Sequence, residues 1–225
     1  KLLNGYKGND DVPPDRFDEA MKPRHVAISL DGEPTLYPYL PELIEEFHDR
    51  GLTTFLVSNG TNPEVIAECE PTQTYISVDA PDRGTFDRVV RALDDDAWDS
   101  LMETLDVIAE KDGRTVVRTT LVDGWNMDDA EDYARIFERA SPDFIEMKAY
   151  MHVGHSRARL DRDAMPEHED VLEFTEEVQS HLDGYDTLKG VPRSLVTLLA
   201  RNEDTWVEKL KKESEFWSEK PYSEA

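Results

Sequence analysis

The chain has 225 residues, with 50 acidic against 25 basic side chains, a formal net charge of −25, an apolar share of 38% and a single cysteine, Cys69. That apolar share, regularly spaced, excludes a disordered polyanion; one cysteine excludes an internal disulfide, and no apolar run approaches the roughly 20 residues that span a bilayer. We read the acidity as adaptation to a salt-loaded cytoplasm, where the screening length shrinks to roughly 3 Å, so it reports a halophilic habitat and neither supports nor excludes a nucleic-acid partner.

Strand-like and helix-like segments alternate along the chain. The opening KLLNGYKGNDD has neither an initiator Met nor a signal-peptide layout, so a fragment or a product of imperfect gene calling is expected. Asp15 to Met21 reads as a short acidic helix, followed by the strand HVAISL (His25 to Leu30). Leu36, Leu40, Leu43, Ile44 and Phe47 recur at helical spacing, with Gly51 as the stop. Thr53 to Val57 is a buried strand, Pro63 to Cys69 a short helix, and Thr74 to Val78 a strand ending at Asp79. Trp98, Leu101, Leu105 and Ile108 predict a longer helix that stops near Gly113. Thr115 to Val122 is rich in β-branched residues and predicts a strand. Asp128 to Ala140 is helical, Phe144 to Ala149 a strand, Pro166 to Leu182 a helix and Ser194 to Leu199 a late strand. A charged tail ends the chain, in which Lys209, Lys211 and Lys212 read as a solvated helix face. Helical connections between strands imply right-handed crossovers and a parallel sheet. An open doubly wound sheet and a full or partial barrel both fit this pattern.

Polar residues recur at successive strand ends. They are Gly32, Glu33 and Pro34, then Ser58, Asn59 and Gly60, then Ser77 and Asp79, then Arg118 and Thr119, and finally Glu146, Lys148 and Tyr150. In a curled sheet they converge on one mouth, where barrels carry their sites. A carboxylate at a strand tip beside a glycine suits the ammonium of a small ligand. An ordinary strand-to-helix turn explains Glu33 equally, and helix capping explains a strand-end Ser or Asn. Lys148 reads either as a reactive amine or as an ion-pair partner of Glu146 or another carboxylate.

The runs GEPTLYP, SNGT, YISVDAP, RTTLV and FIEMKAYMHVGHS, taken together, resemble the radical S-adenosylmethionine enzymes. More narrowly, KAYMHVGHS and MPEHEDVLEF make the chain similar to the archaeal wyosine-synthesis family of tRNA-modifying enzymes, over about residues 5–199. The resemblance implies a partial (β/α)6 TIM-like barrel missing its first strand and cluster loop. It would comprise a barrel over 1–150, a wyosine-formation region over 151–200 and a helical tail over 201–225. It further implies S-adenosylmethionine and a [4Fe–4S] cluster as cofactors. Gly32, Glu33 and Pro34 would contact the methionyl amino group, Ser77 and Asp79 the ribose hydroxyls, and Asn59 and Arg118 the methionyl carboxylate. Ser58, Gly60 and Thr119 complete that set.

The family's cluster hangs on three cysteines upstream of this segment, and Cys69 alone cannot hold one; it reads as a buried structural residue. The implied reaction joins N1-methylguanosine of tRNA-Phe to pyruvate carbons in the cytoplasm, with an electron-donor protein and no membrane. Lys148 is the candidate for an imine with pyruvate. Tyr150, His152, His155 and Arg157, in a loop that also holds Arg159, are candidates for tRNA contact, to an anticodon-loop phosphate or by stacking on a base. A cluster-free RNA-binding module and a radical enzyme with another substrate are the competing readings.

Overall fold

The computed structural model describes residues 2–201 and residue 209. A short helix, α1 (Pro14–Ala20), precedes an alternating series. The series is β1 (His25–Ile28), α2 (Leu40–Asp49), β2 (Thr53–Ser58), α3 (Pro63–Glu68), β3 (Gln73–Ser77), α4 (Arg83–Val89), α5 (Ala97–Ala109), β4 (Arg114–Leu121), α6 (Ala130–Ala140) and β5 (Phe144–Ala149). Helix α7 (His168–Ser180) and strands β6 (Tyr185–Val191) and β7 (Val196–Arg201) complete the described elements. Most lie within two residues of their expected bounds. The sequence reading missed α4, whose seven residues are too few for a periodic signal. It also missed β6, whose sequence YDTLKGV is largely exposed and lacks the apolar alternation of a buried strand. Leu36 leaves the face expected for α2: it ends a single 3-10 turn, Pro34–Leu36, and is 74% exposed.

The sheet order β1-β2-β3-β4-β5-β7-β6 decides between the two architectures. The first five strands are parallel and adjacent in chain order. A doubly wound sheet must reverse direction at a switch point; the parallel strands β1 to β5 never do. Right-handed crossovers that always step the same way leave every connecting helix on one face. Accordingly α3, α5, α6 and α7 pack as a continuous layer, and the fold is a partial barrel. The antiparallel pair β7 and β6 extends the sheet beyond β5.

Alternation along each strand sorts the side chains into two sets. Leu56, Ile76, Val117, Leu121, Ile145, Met147 and Leu199 are completely buried beneath the helices. The opposite set (Tyr75, Ser77, Arg118, Thr120, Glu146 and Lys148) is half-buried and lines the concave side. Gly51, with φ +72°, turns the chain from α2 into β2 as expected.

Below the sheet, Asp143 precedes β5 and is 1% exposed. It accepts from the Thr115 N–H at 2.8 Å, and the Lys209 ammonium donates to it at 2.8 Å. Lys209 is therefore a tertiary ligand of a buried carboxylate and not part of a solvated face. Lys211, Lys212 and the other tail residues lie outside the described residues. No described helix is long and apolar enough to cross a membrane.

Candidate functional site at the mouth of the barrel

The exit from β1 is organised by one carboxylate. Gly32 adopts φ +78°, which swings the chain back over the strand end and presents Glu33 as cap of the 3-10 turn. Glu33 Oε1 accepts from Thr35 N at 3.1 Å, Thr35 Oγ1 at 2.8 Å and Ser58 Oγ at 2.8 Å, while Oε2 accepts from Asn59 N at 2.8 Å. The carboxylate thus ties the exits of β1 and β2 together with charge-assisted bonds. Oε1 is saturated; Oε2 has one donor and an acceptor site remaining. Pro34 supplies the first position of the turn, where a missing N–H costs nothing.

On the concave face, Ser77 pairs with Arg118, Arg118 with Glu146, and Thr120 with Lys148. Arg118 Nε donates to Glu146 Oε1 at 2.7 Å, and its guanidinium lies 4.7 Å from the Tyr75 ring centroid. Its two terminal nitrogens carry no hydrogen bond among the described residues, so the fork is oriented and available to a carboxylate. Glu146 pairs with Arg118, so of the carboxylates expected as alternative partners for Lys148 it is not the one engaged. Lys148 stands instead in the field of Asp79.

Asp79 follows β3 and accepts from the Thr120 N–H at 2.7 Å. Burial pushes its carboxyl above the usual aspartate range, opposed by the hydrogen bonds from Thr120 and by the charges of Arg118 and Lys148. A cleft of 310 Å³ opens there, lined by Asp79, Thr120, Tyr150, His155, Ser156 and Arg159 among others. Tyr150 is 6% exposed, and its Oη shares a hydrogen bond with His152 Nδ1 at 3.1 Å. Arg157 Nε donates to the His152 carbonyl at 3.1 Å, and Ser156 Oγ donates to Met151 and Val153 carbonyls. The loop after β5 is therefore a folded rim with His155 and Arg157 exposed on it.

Glu33, Asn59, Asp79 and Arg118 are thus brought to the same end of four consecutive strands. Of the other expected members, Thr119 points to the opposite face, while Gly60 and Ser58 lie at that end but face other partners. Thr119 is fully buried on the helix face, opposite in direction to Arg118. The side-chain period of a strand is 2, so the residue that shares the mouth is Thr120. Gly60 faces the helix layer, where an added Cβ would stand 2.6 Å from Leu101 and its carbonyl accepts from Thr104 Oγ1. The Ser58 hydroxyl is committed to Glu33 and to the Gly60 N–H. It shapes the turn and is not presented to a ligand.

Asn126, in the loop between β4 and α6, escaped the sequence reading. It is 2% exposed; its Nδ2 donates to the Asp79 carbonyl at 2.9 Å and the Thr120 carbonyl at 2.8 Å, and its Oδ1 accepts from Val122 N at 2.6 Å. One amide side chain therefore clamps the ends of β3 and β4. No local signal marks it, because a polar residue in a VDGWN loop reads as solvated. Thr120 was within reach of alternation counted from Arg118.

The residues do not fit an iron–sulfur cluster. Cys69 is 0% exposed and packs with Leu40, Ile44 and Leu56. Burial pushes its thiol up to about 11, with Lys111 acting in the opposite direction. Among the described residues no group of three or more His, Cys, Asp or Glu side chains is placed to hold a metal ion.

A one-faced partial barrel with polar strand tips around a mouth defines a class, and family profiles give that class its name. The radical SAM superfamily profile matches residues 6–137, and the chain belongs to that superfamily. A profile described as wyosine base formation matches residues 139–201. The chain is 48% identical over 208 residues to the S-adenosyl-L-methionine-dependent tRNA 4-demethylwyosine synthase of Pyrococcus abyssi, and 47% identical to that of Pyrococcus horikoshii. In each case 90% of this chain and 61% of the relative are covered, so the chain spans about three-fifths of their length. Among solved structures, TYW1 with a lysine-pyruvate adduct bound superposes with a TM-score of 0.82 at 44% identity, covering 90% of this chain and 65% of that one. An archaeal TYW1 crystal structure superposes at 0.76 and 41% identity, covering 90% and 66%.

Proposed function

We propose that this chain is the cofactor-cradle and substrate side of a tRNA 4-demethylwyosine synthase, a carbon–carbon lyase acting on N1-methylguanosine of tRNA-Phe and on pyruvate. The observation that carries the reading is the convergence of Glu33, Asn59, Asp79 and Arg118 on one mouth. S-adenosylmethionine, when bound, supplies the alkyl-radical chemistry of the superfamily. This chain's own residues would bind and orient it. Glu33 Oε2 accepts from the methionyl ammonium, and the Arg118 fork holds the methionyl carboxylate beside Asn59. Asp79 and Ser77 receive the ribose hydroxyls, a role suited to an ionised carboxylate. Thr120 replaces Thr119 in this set.

Tyr150, His152, His155 and Arg157 would meet the tRNA from the rim. An electron-donor protein, a cytoplasmic location and a high-salt habitat complete the proposal. The solved relative with a lysine-pyruvate adduct bound supports pyruvate as the second substrate, and Lys148 is this chain's candidate for the lysine. Borohydride reduction of the complete protein with pyruvate places the trapped carbons on the peptide containing Lys148. Trapping on another lysine returns Lys148 to the role of counter-charge for Asp79.

The reading as a whole is tested by nucleoside analysis of tRNA from a deletion strain. Loss of wyosine derivatives with accumulation of N1-methylguanosine is expected. Unchanged nucleosides, with tRNA still bound by the purified protein, would return the chain to a cluster-free RNA-binding module.

A further inference from the structure

In a chain with twice as many acids as bases, one wall beside the mouth is basic. Arg88 in α4, Arg91 just beyond it and Arg159 from the loop after β5 line a small recess with Trp125 and Leu160, and no acidic side chain is in that lining. The recess shares Val89, Val122, Arg159 and Leu160 with the cleft at Asp79. None of the three arginines forms a salt bridge among the described residues. Asp82, at the start of α4, lies in the field of Arg88 without forming a salt bridge to it, and its carboxylate accepts from the Gly84 and Thr85 N–H groups. Arg88 is fixed by donation to the Trp125 carbonyl and by its guanidinium 5.8 Å from the indole centroid. Arg91 adopts φ +54°, a left-handed conformation unfavourable for a side-chain-bearing residue, with Nε 3.4 Å from the Arg88 carbonyl. Three guanidiniums without a salt bridge among the described residues, one fixed by its bond to the Trp125 carbonyl and one held on a strained backbone, form a preset surface for anions.

We infer that Arg88, Arg91 and Arg159 bind successive backbone phosphates of the RNA strand whose base enters the neighbouring cleft. The inference rests on the tRNA reading above and extends the contact surface from the rim, through Arg159, to the α4 side of the mouth. Phosphate contacts of this kind fix the register of the strand without reading its sequence.

Arg91 offers a clean test, because glycine is comfortable at φ +54° and Arg91→Gly removes the charge without straining the fold. Binding of tRNA-Phe transcript to the complete protein is measured over a range of salt for wild type, Arg91→Gly and Arg91→Glu, together with S-adenosylmethionine affinity. Affinity for tRNA is expected to fall several-fold in Arg91→Gly and further in Arg91→Glu. The slope of log K against log salt should become shallower by about one in Arg91→Gly, and cofactor affinity should be unchanged. Variants that match wild type in affinity and slope overturn this inference alone. A wild-type protein that binds no tRNA overturns it together with the reading on which it rests. Parallel loss of cofactor and tRNA binding assigns Arg91 a structural role instead.

Discussion

Glu33 and Asn59, 26 residues apart in sequence, are joined by a 2.8 Å bond from the Asn59 N–H to Glu33 Oε2, beside a 2.8 Å bond from Ser58 Oγ to Oε1. The residue proposed to receive the cofactor's ammonium is also the fastener between the first two strand ends. Glu33→Ala therefore removes two things. In chemical denaturation it is expected to cost about 1–3 kcal/mol, from donors left without an acceptor. In calorimetric titration of the complete enzyme, S-adenosylmethionine affinity is expected to fall by a further charge-assisted bond, about 1.5–3 kcal/mol. Stability loss with unaltered affinity would leave Glu33 as a fastener only.

Asn126 is expected to be as sensitive as any residue facing the ligand. Asn126→Ala strands the Val122 N–H and two strand-end carbonyls, at about 1–3 kcal/mol for each group that water cannot reach. Asn126→Asp should be worse, because a carboxylate oxygen would then face the carbonyls of Asp79 and Thr120. Cofactor affinity should fall with both variants, since Asp79 loses its anchor. Thermal melts and titration in parallel check this, and an Asn126→Asp protein at least as stable as Asn126→Ala would refute the clamp.

Because burial holds the Asp79 carboxyl above its ordinary range, the ionised form is lost at a higher pH than for an exposed aspartate. A carboxyl accepts from ribose hydroxyls more strongly when ionised, so cofactor affinity should weaken on acidification through that raised value and recover above it. The same shift means that ionised Asp79 costs folding stability, and the cost is relieved as pH falls through the folded-state value. Asp79→Asn should bind weakly at all pH and flatten this limb of the profile. A wild-type profile that begins to fall only in the ordinary aspartate range would contradict the assignment.

Lys209 neutralises Asp143, which is 1% exposed and hydrogen-bonded to Thr115. Removing one partner of a buried pair leaves a desolvated charge, a loss of about 3–5 kcal/mol in favourable cases. Lys209 retains 22% side-chain exposure, so solvent reduces this, and Lys209→Met is expected at the lower end or below. Lys209→Met with Asp143→Asn together should recover part of the loss. A double-mutant cycle in denaturant checks the coupling, and additive losses would show that the pair is incidental.

Cys69 should resist alkylation near neutral pH in the folded protein, because burial holds its thiol at about 11. Rapid labelling without unfolding would place it outside the core.

Composition, periodicity and strand-end polarity were enough to locate nearly every buried element and the tips at Glu33, Asn59, Asp79 and Arg118. Each of those depends on chemistry repeated within a few residues. Thr119 shows where such reading stops: two adjacent threonines are equivalent in composition, and only the register against β5 turns one into the helix layer and the other into the mouth. Gly60 is similar, since a glycine after a strand reads as ligand space until Leu101 is found 2.6 Å from where its Cβ would be. Asn126, the Lys209–Asp143 pair and the Arg88–Arg91–Arg159 wall join segments far apart in sequence. The sequence by itself determined the alternation of strands and helices, the parallel crossovers and the family, because these follow from local periodicity and short motifs. Tertiary structure decided barrel over doubly wound sheet, which threonine faces the mouth and which charges are paired, because these depend on strand order, register and the approach of distant side chains.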